Sequence, residues 1–176
     1  MAISLLFGFV FDIVCTAVER AIYKRPEKYV ESVEKYASEF GVPEYIVYAV
    51  IKTESGFDAS AKSSAGAIGL MQLMPDTFEW LTDSKLCEFL DAGMLYDPDT
   101  NIKYGVYYLS LLFGIYKNWD TALAAYNAGP GNVDEWLLDP TYSSNGVTLN
   151  DIPFKETRNY VKKVNRACEK YKELYY

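Results

Sequence analysis

There is no histidine among the 176 residues, which excludes Ser-His-Asp and Cys-His catalysis and every zinc site that needs an imidazole ligand. Acid/base work therefore falls to carboxylates, tyrosines or lysines. Cysteine is scarce as well: Cys15, Cys87 and Cys168 stand far apart with no C-x-x-C spacing, so neither a metal cluster nor dithiol redox chemistry is indicated. A Cys87–Cys168 bridge would leave Cys15 over, and it depends on a geometry that spacing does not give. Cations are outnumbered, 17 Lys and Arg against 24 Asp and Glu for a net charge of −7. Such a surface repels phosphate backbones, so nucleic acid is not expected as a partner. Sustained period-two alternation, internal repeats and an inter-domain linker are also missing, which leaves an α-rich single domain with little or no β structure.

What is present fits that reading. Half the residues are apolar and 23% are charged, a composition that buries a core rather than staying open. Residues 1–18, MAISLLFGFVFDIVCTAV, form an apolar run broken only by Asp12 and followed by Arg20, Lys24, Arg25 and Lys28. The run reads as a membrane-directed leader, cleaved or retained as an anchor, with the folded domain over residues 27–176. It is short for a spanning helix, its aspartate is costly in a bilayer, and the cations behind it favour the cytoplasmic side. A buried N-terminal helix of the domain is the alternative. Beyond it, apolar residues at helical spacing predict helices over 27–40, ending at Gly41, and from Pro43 to about Glu54. Others follow at about 76–84, 99–116, 120–128, 130–138 and 155–173. Residues 56–75, rich in Gly, Ser and Ala, are expected to be irregular, with room for a short hairpin.

Periodicity singles out Glu54. It follows Ile51, Val50 and Val47 by three, four and seven positions, which puts it on the apolar face of its helix and at that helix's C-terminus. Desolvation and the negative end of the helix dipole both disfavour the carboxylate and raise its pKa toward neutrality, as a general acid requires. A surface glutamate at a frayed helix end would share the same spacing.

From Glu54 the chain reads ESGFDASAKSSAGAIGLMQLMP, followed at a distance by Ala124-Ala125-Tyr126-Asn127-Ala128-Gly129, by Ile152-Pro153-Phe154 and by Glu156-Thr157-Arg158-Asn159-Tyr160-Val161. In order and spacing these stretches resemble the motifs of the SLT-type lytic transglycosylases, and the likeness covers roughly residues 28–172. The resemblance implies a lysozyme-like α-helical domain in the cell envelope, outside the cytoplasm, with a groove for peptidoglycan glycan strands and no metal or cofactor. It makes Glu54 the catalytic acid/base. Ser63, Gln72, Tyr126, Asn127 and Tyr160 become substrate-binding residues. Each also has a plainer reading: Ser63 as a turn serine, Gln72 as a structural amide, Tyr126-Asn127 as the end of a helix that Gly129 and Pro130 stop. Gly66 and Gly69 suit either close backbone approach or ordinary turns.

The resemblance further implies cleavage of the β-1,4 bond between N-acetylmuramic acid and N-acetylglucosamine, leaving 1,6-anhydromuramic ends. One departure stands out, because Asp58 and Ala59 occupy positions where many relatives carry Asn and Pro. A second carboxylate near Glu54 is what a hydrolytic muramidase needs, at about 5–9.5 Å, and Asp58, Asp76 and Asp97 are the candidates. A wall-binding module without catalysis is the rival of another class.

Overall fold

The computed structural model describes residues 13–83, 88 and 90–176. Helix α1, Glu27–Phe40, buries Tyr29, Val33, Tyr36 and Ala37. Gly41 ends it in a left-handed conformation at φ 68°, and the Val42 N–H reaches back 3.0 Å to the Ala37 carbonyl, so the terminal carbonyls find donors. Pro43 then opens α2, Glu44–Glu54. The other helices are α3 at Pro75–Leu81, α4 at Pro98–Tyr116, α5 at Trp119–Ala128, α6 at Pro130–Leu138 and α7 at Lys155–Tyr175. A 3₁₀ turn at Ala92–Tyr96, which periodicity did not predict, precedes α4. Prolines occupy the first turns of α3, α4 and α6, where a missing N–H costs nothing. Among the described residues no strand forms. Residues 56–74 contain only two isolated bridges, Lys62 with Ile68 and Ile68 with Leu73.

Helix α2 lies at the centre, packed against α7 and α1, while α4 joins α1 to α5 and α5 returns to α7. The spacing of Ile46, Val47, Val50 and Ile51 predicts one buried stripe, but the structure buries Tyr48 and Ala49 as well. With helices on both sides, the middle of α2 has no solvent face, and only its ends carry charge.

The loop between α2 and α3 is fixed by one buried amide. Asn101, on α4 and without solvent exposure, accepts from the Met71 N–H at 2.7 Å and donates to the carbonyls of Ile68 and Leu95 at 2.9 and 2.8 Å. Gly69, at φ 81°, passes so close that a Cβ there would run into the Asn101 amide and the Leu95 carbonyl. Ser55 ties the end of α2 to the same loop by donating to the Leu70 carbonyl at 2.8 Å.

The N-terminal reading divides. Residues 1–12 lie outside the described residues. Residues 13–22 are helical, yet Ile13, Val14, Val18 and Ile22 are each more than half exposed, which contradicts a buried N-terminal helix for this part. No helix among the described residues is long and apolar enough to cross a membrane. The proposed bridge cannot be placed, since Cys87 is outside the described residues; Cys168 is buried.

Candidate active site

Glu54 closes α2 at the point where the chain turns into the irregular loop. Burial raises its carboxyl to about 7, opposed by the Tyr160 hydroxyl beside it. Tyr160 comes from α7 and Tyr126 from the last turn of α5. Both phenols are held well above their ordinary value, first by burial and then by the negative charge of Glu54, so they remain neutral donors. The Tyr126 hydroxyl donates to the Met71 carbonyl at 2.8 Å, which fixes its ring against the loop that Asn101 holds. The Tyr160 hydroxyl is buried and, among the described residues, makes no hydrogen bond of good geometry. A buried donor without a partner is costly, and its place beside Glu54 makes it available to whichever form of the carboxyl is present.

Gln72, Tyr126 and Asn127 share a pocket of about 290 Å³ with Thr77 and Tyr108. Thr77, Tyr108 and Pro130 also border a more apolar pocket of about 420 Å³ that contains Trp80 and Ile115. The two form one open groove. Its aromatic wall includes Trp80, 43% exposed, set edge-on to Tyr108 at 6.4 Å, and Tyr108 lies 5.4 Å from Tyr126. Flat apolar faces with polar tips are suited to sugar rings. Glu54 is on the wall of neither pocket. It meets the groove through Tyr126.

Five of the six residues singled out in the sequence therefore converge, as a carboxyl–phenol cluster of Glu54, Tyr126 and Tyr160 and as a groove wall of Gln72, Tyr126 and Asn127. Gln72 is not a free amide. It sits at φ 50°, and its NH₂ donates to the carbonyls of Ala61 and Gly69 at 3.1 and 2.8 Å, which leaves its carbonyl oxygen for the groove. Ser63 joins neither set: its hydroxyl accepts from the Ala67 N–H at 3.0 Å inside a tight turn. Sequence reasoning missed Trp80 and Tyr108, since nothing in their spacing separates them from core aromatics. It also missed Asn101, whose only signal is a polar residue on the buried face of a long helix.

The candidate second carboxylates have surroundings of their own. Asp58 is exposed and accepts from the N–H and hydroxyl of Ser60 at 2.9 and 2.6 Å, contacts that hold it below its ordinary value. Asp97 caps α4 through the Thr100 N–H at 2.9 Å. Asp76 is exposed in the first turn of α3, on the outer stretch of the groove. Among the described residues no carboxylate contributes to the shift at Glu54.

The family description "Transglycosylase SLT domain" matches residues 31–145. The chain belongs to this family. The matched span includes Glu54, Gln72, Tyr126 and Asn127 and stops short of Tyr160. Among curated SLT relatives, the soluble lytic murein transglycosylase of Escherichia coli K12 is 37% identical over 79% of this chain and 22% of its own length. The membrane-bound lytic murein transglycosylase C of Cronobacter sakazakii is 30% identical over 93% of this chain and 51% of its own. An inactive glutamate-to-glutamine mutant of the lytic transglycosylase Slt from Pseudomonas aeruginosa superposes with a TM-score of 0.73 at 33% identity, covering 85% of this chain and 25% of that one. The 70-kDa soluble lytic transglycosylase in complex with bulgecin A gives 0.70 at 33% identity, over 84% of this chain and 24% of that one. The chain thus spans about a fifth to a half of the length of the curated relatives it matches.

Proposed function

We propose that this chain is a lytic transglycosylase of the cell envelope that cleaves the β-1,4 bond between N-acetylmuramic acid and N-acetylglucosamine in peptidoglycan strands. The observation that carries the reading is Glu54, raised to about 7 by burial with no second carboxylate acting on it. A group poised near neutrality can give a proton and take one back, and general acid/base catalysis is most effective when the pKa lies near the working pH. Protonated Glu54 donates to the glycosidic oxygen as the bond to the anomeric carbon breaks, with the substrate's acetamido group stabilising the sugar cation. The glutamate, now a carboxylate, then accepts the proton of the muramic acid 6-hydroxyl as that oxygen bonds to the anomeric carbon. The product is a 1,6-anhydro end, and no water is consumed.

Tyr126, Gln72 and Asn127 orient the sugars beside this carboxyl. The inactivity of the glutamate-to-glutamine mutant of a solved relative supports reliance on one glutamate. Hydrolysis with a second carboxylate finds little support, since Asp58 is committed to Ser60. Residues 1–18 direct the domain to the envelope, as a cleaved leader or as a retained anchor.

Mass spectrometry of the fragments released from purified peptidoglycan tests the proposal. Fragments lighter than hydrolysis products by one water, and lost with Glu54→Gln, are expected. Reducing ends would identify a muramidase. Activity retained in Glu54→Gln would remove Glu54 from the chemistry.

A further inference from the structure

On the face of the molecule where residues 13–25 meet α2 and α7, cations gather although the chain carries a net charge of −7. Lys52, Lys163 and Arg166 line a pocket of about 330 Å³ together with Tyr23, Thr53 and Ala167, and Lys24 is close enough to Lys52 to disfavour its charge, an effect second to burial. Among the described residues none of these four cations pairs with a carboxylate; the ion pairs nearby involve Arg25 and Lys170 instead. Lys52 is aimed rather than loose. Its Nζ donates to the Ile22 carbonyl at 2.6 Å and lies 4.8 Å from the centre of the Tyr23 ring. Like charges held together without counter-charges raise the energy of the face, and a bound anion relieves it.

The helical segment that ends at this pocket supplies the second observation. At about 100° per residue, Ile13, Val14, Ala17, Val18, Ala21 and Ile22 occupy one half of its circumference, and Cys15, Thr16, Glu19 and Arg20 the other. Ile13, Val14, Val18 and Ile22 are 51–54% exposed, so the apolar half is uncovered. A helix with an uncovered apolar half lies in the plane of a lipid interface, and here the adjoining Lys52, Lys163 and Arg166 supply the cations for the headgroups.

We infer that this face is an anionic-membrane docking surface, in which the apolar half of residues 13–22 enters the interface and the Lys52/Lys163/Arg166 pocket receives a phospholipid headgroup phosphate. The inference goes beyond attachment by the apolar leader, because it assigns a headgroup seat to the folded domain and fixes the domain's orientation on the bilayer. Cations following the leader then need not mark the cytoplasmic side; they contact headgroups on the side the domain occupies.

The test is co-sedimentation of the full chain with vesicles of phosphatidylcholine alone or mixed with phosphatidylglycerol. Lys163→Glu/Arg166→Glu is compared with Lys117→Glu/Lys155→Glu, which changes net charge equally and away from the pocket. Each cation at such a surface is worth about fivefold in binding. The parent and the Lys117/Lys155 control are expected to prefer anionic vesicles by ~10-fold or more, with the preference fading as salt rises. The Lys163/Arg166 variant is expected to lose it while keeping the parent's thermal midpoint. Equal binding to both vesicle types, a preference that survives in the Lys163/Arg166 variant, or the same loss in both variants would overturn the inference. So would a salt-sensitive dimer in sedimentation velocity that the Lys163/Arg166 variant abolishes without any vesicle preference in the parent, since the face would then belong to a second copy of the chain.

Discussion

Glu54, the proposed acid/base, links function to stability through one proton. Its folded carboxyl titrates at about 7 against an ordinary 4.5. Below pH 4.5 the group is neutral in both states and costs nothing. As pH rises toward 7, the unfolded chain ionises first and the folded state falls behind. Above pH 7 the full penalty stands. Glu54→Gln, neutral at every pH, is therefore expected to exceed the parent in stability by about 2–3 kcal/mol at pH 8, and the gap should close by pH 4. Urea unfolding at the two pH values measures it, and equal stabilities at pH 8 would mean that Glu54 is solvated. The remaining carboxylates titrate alike in both proteins and cancel. Tyr160 gives a second expectation of a different sign. Its hydroxyl opposes the upward shift of Glu54 and, among the described residues, has no other partner. Tyr160→Phe should leave stability within about 1 kcal/mol of the parent and lower kcat/KM several-fold. With Glu54 as the proposed acid, the alkaline fall of kcat/KM, where that carboxyl loses its proton, should move to higher pH. An unmoved profile would make Tyr160 a packing residue only.

At the scale of elements, the site depends on a loop that has almost no secondary structure of its own. Ser55 fastens one end of it to α2, Gln72 closes it on itself, and Asn101 anchors its centre to α4. Because Met71 also receives the Tyr126 hydroxyl, a shift of this loop moves the wall of the groove. Asn101→Ala removes three buried hydrogen bonds and leaves the Met71 N–H and the Leu95 carbonyl without these partners, while the Ile68 carbonyl keeps only the Leu73 N–H at 3.1 Å. The expected cost is about 3–5 kcal/mol, with a rise in KM at temperatures where the variant is still folded. Thermal unfolding and steady-state kinetics together check this; a stability loss with KM unchanged would separate the loop from substrate binding. The helices around it were legible in the sequence: Gly41, Pro43 and Pro130 mark real ends, and the stripe ending at Glu54 placed that carboxyl on the apolar face, a spacing that a surface glutamate at a frayed helix end would share. Three things were not legible. The burial of Tyr48 and Ala49 depends on a helix more than a hundred residues away, the 3₁₀ turn at Ala92–Tyr96 is too short for a period, and the contribution of Trp80 to the groove is set by tertiary packing. Ser63 shows the reverse case, a motif residue whose hydroxyl accepts the Ala67 N–H within its own turn.

For the whole molecule, the remaining question is where the folded unit starts. Residue 27 is the boundary the helical pattern suggests, yet residues 19–25 are built into the same body as α2 and α7. Glu19 pairs with Lys170 at 2.7 Å, the Tyr23 ring stands edge-on to Tyr171 at 5.8 Å, and the Lys24 carbonyl accepts from the Tyr171 hydroxyl at 3.1 Å. Arg25 contributes most. Its guanidinium lies 4.9 Å from the centre of the Tyr48 ring and 5.5 Å from those of Tyr175 and Tyr176, and it reaches Glu34 and Glu44 at 3.3 and 3.5 Å. Cation–π contacts gain strength when partly desolvated, at up to about 2 kcal/mol each, and these ion pairs lie in the same half-buried place. This short stretch therefore clasps the start of α2 to the end of α7, the two helices that carry Glu54 and Tyr160. A chain beginning at residue 19 should unfold in urea at the parent's midpoint, whereas one beginning at residue 27 should lose about 2–4 kcal/mol and much of its activity. Equal midpoints for the two truncations would return the boundary to residue 27 and reduce Arg25 to a surface contact. A loss confined to stability would mean that α2 and α7 keep their relative position without the clasp, and that the cluster of Glu54 with Tyr160 is held by the core alone.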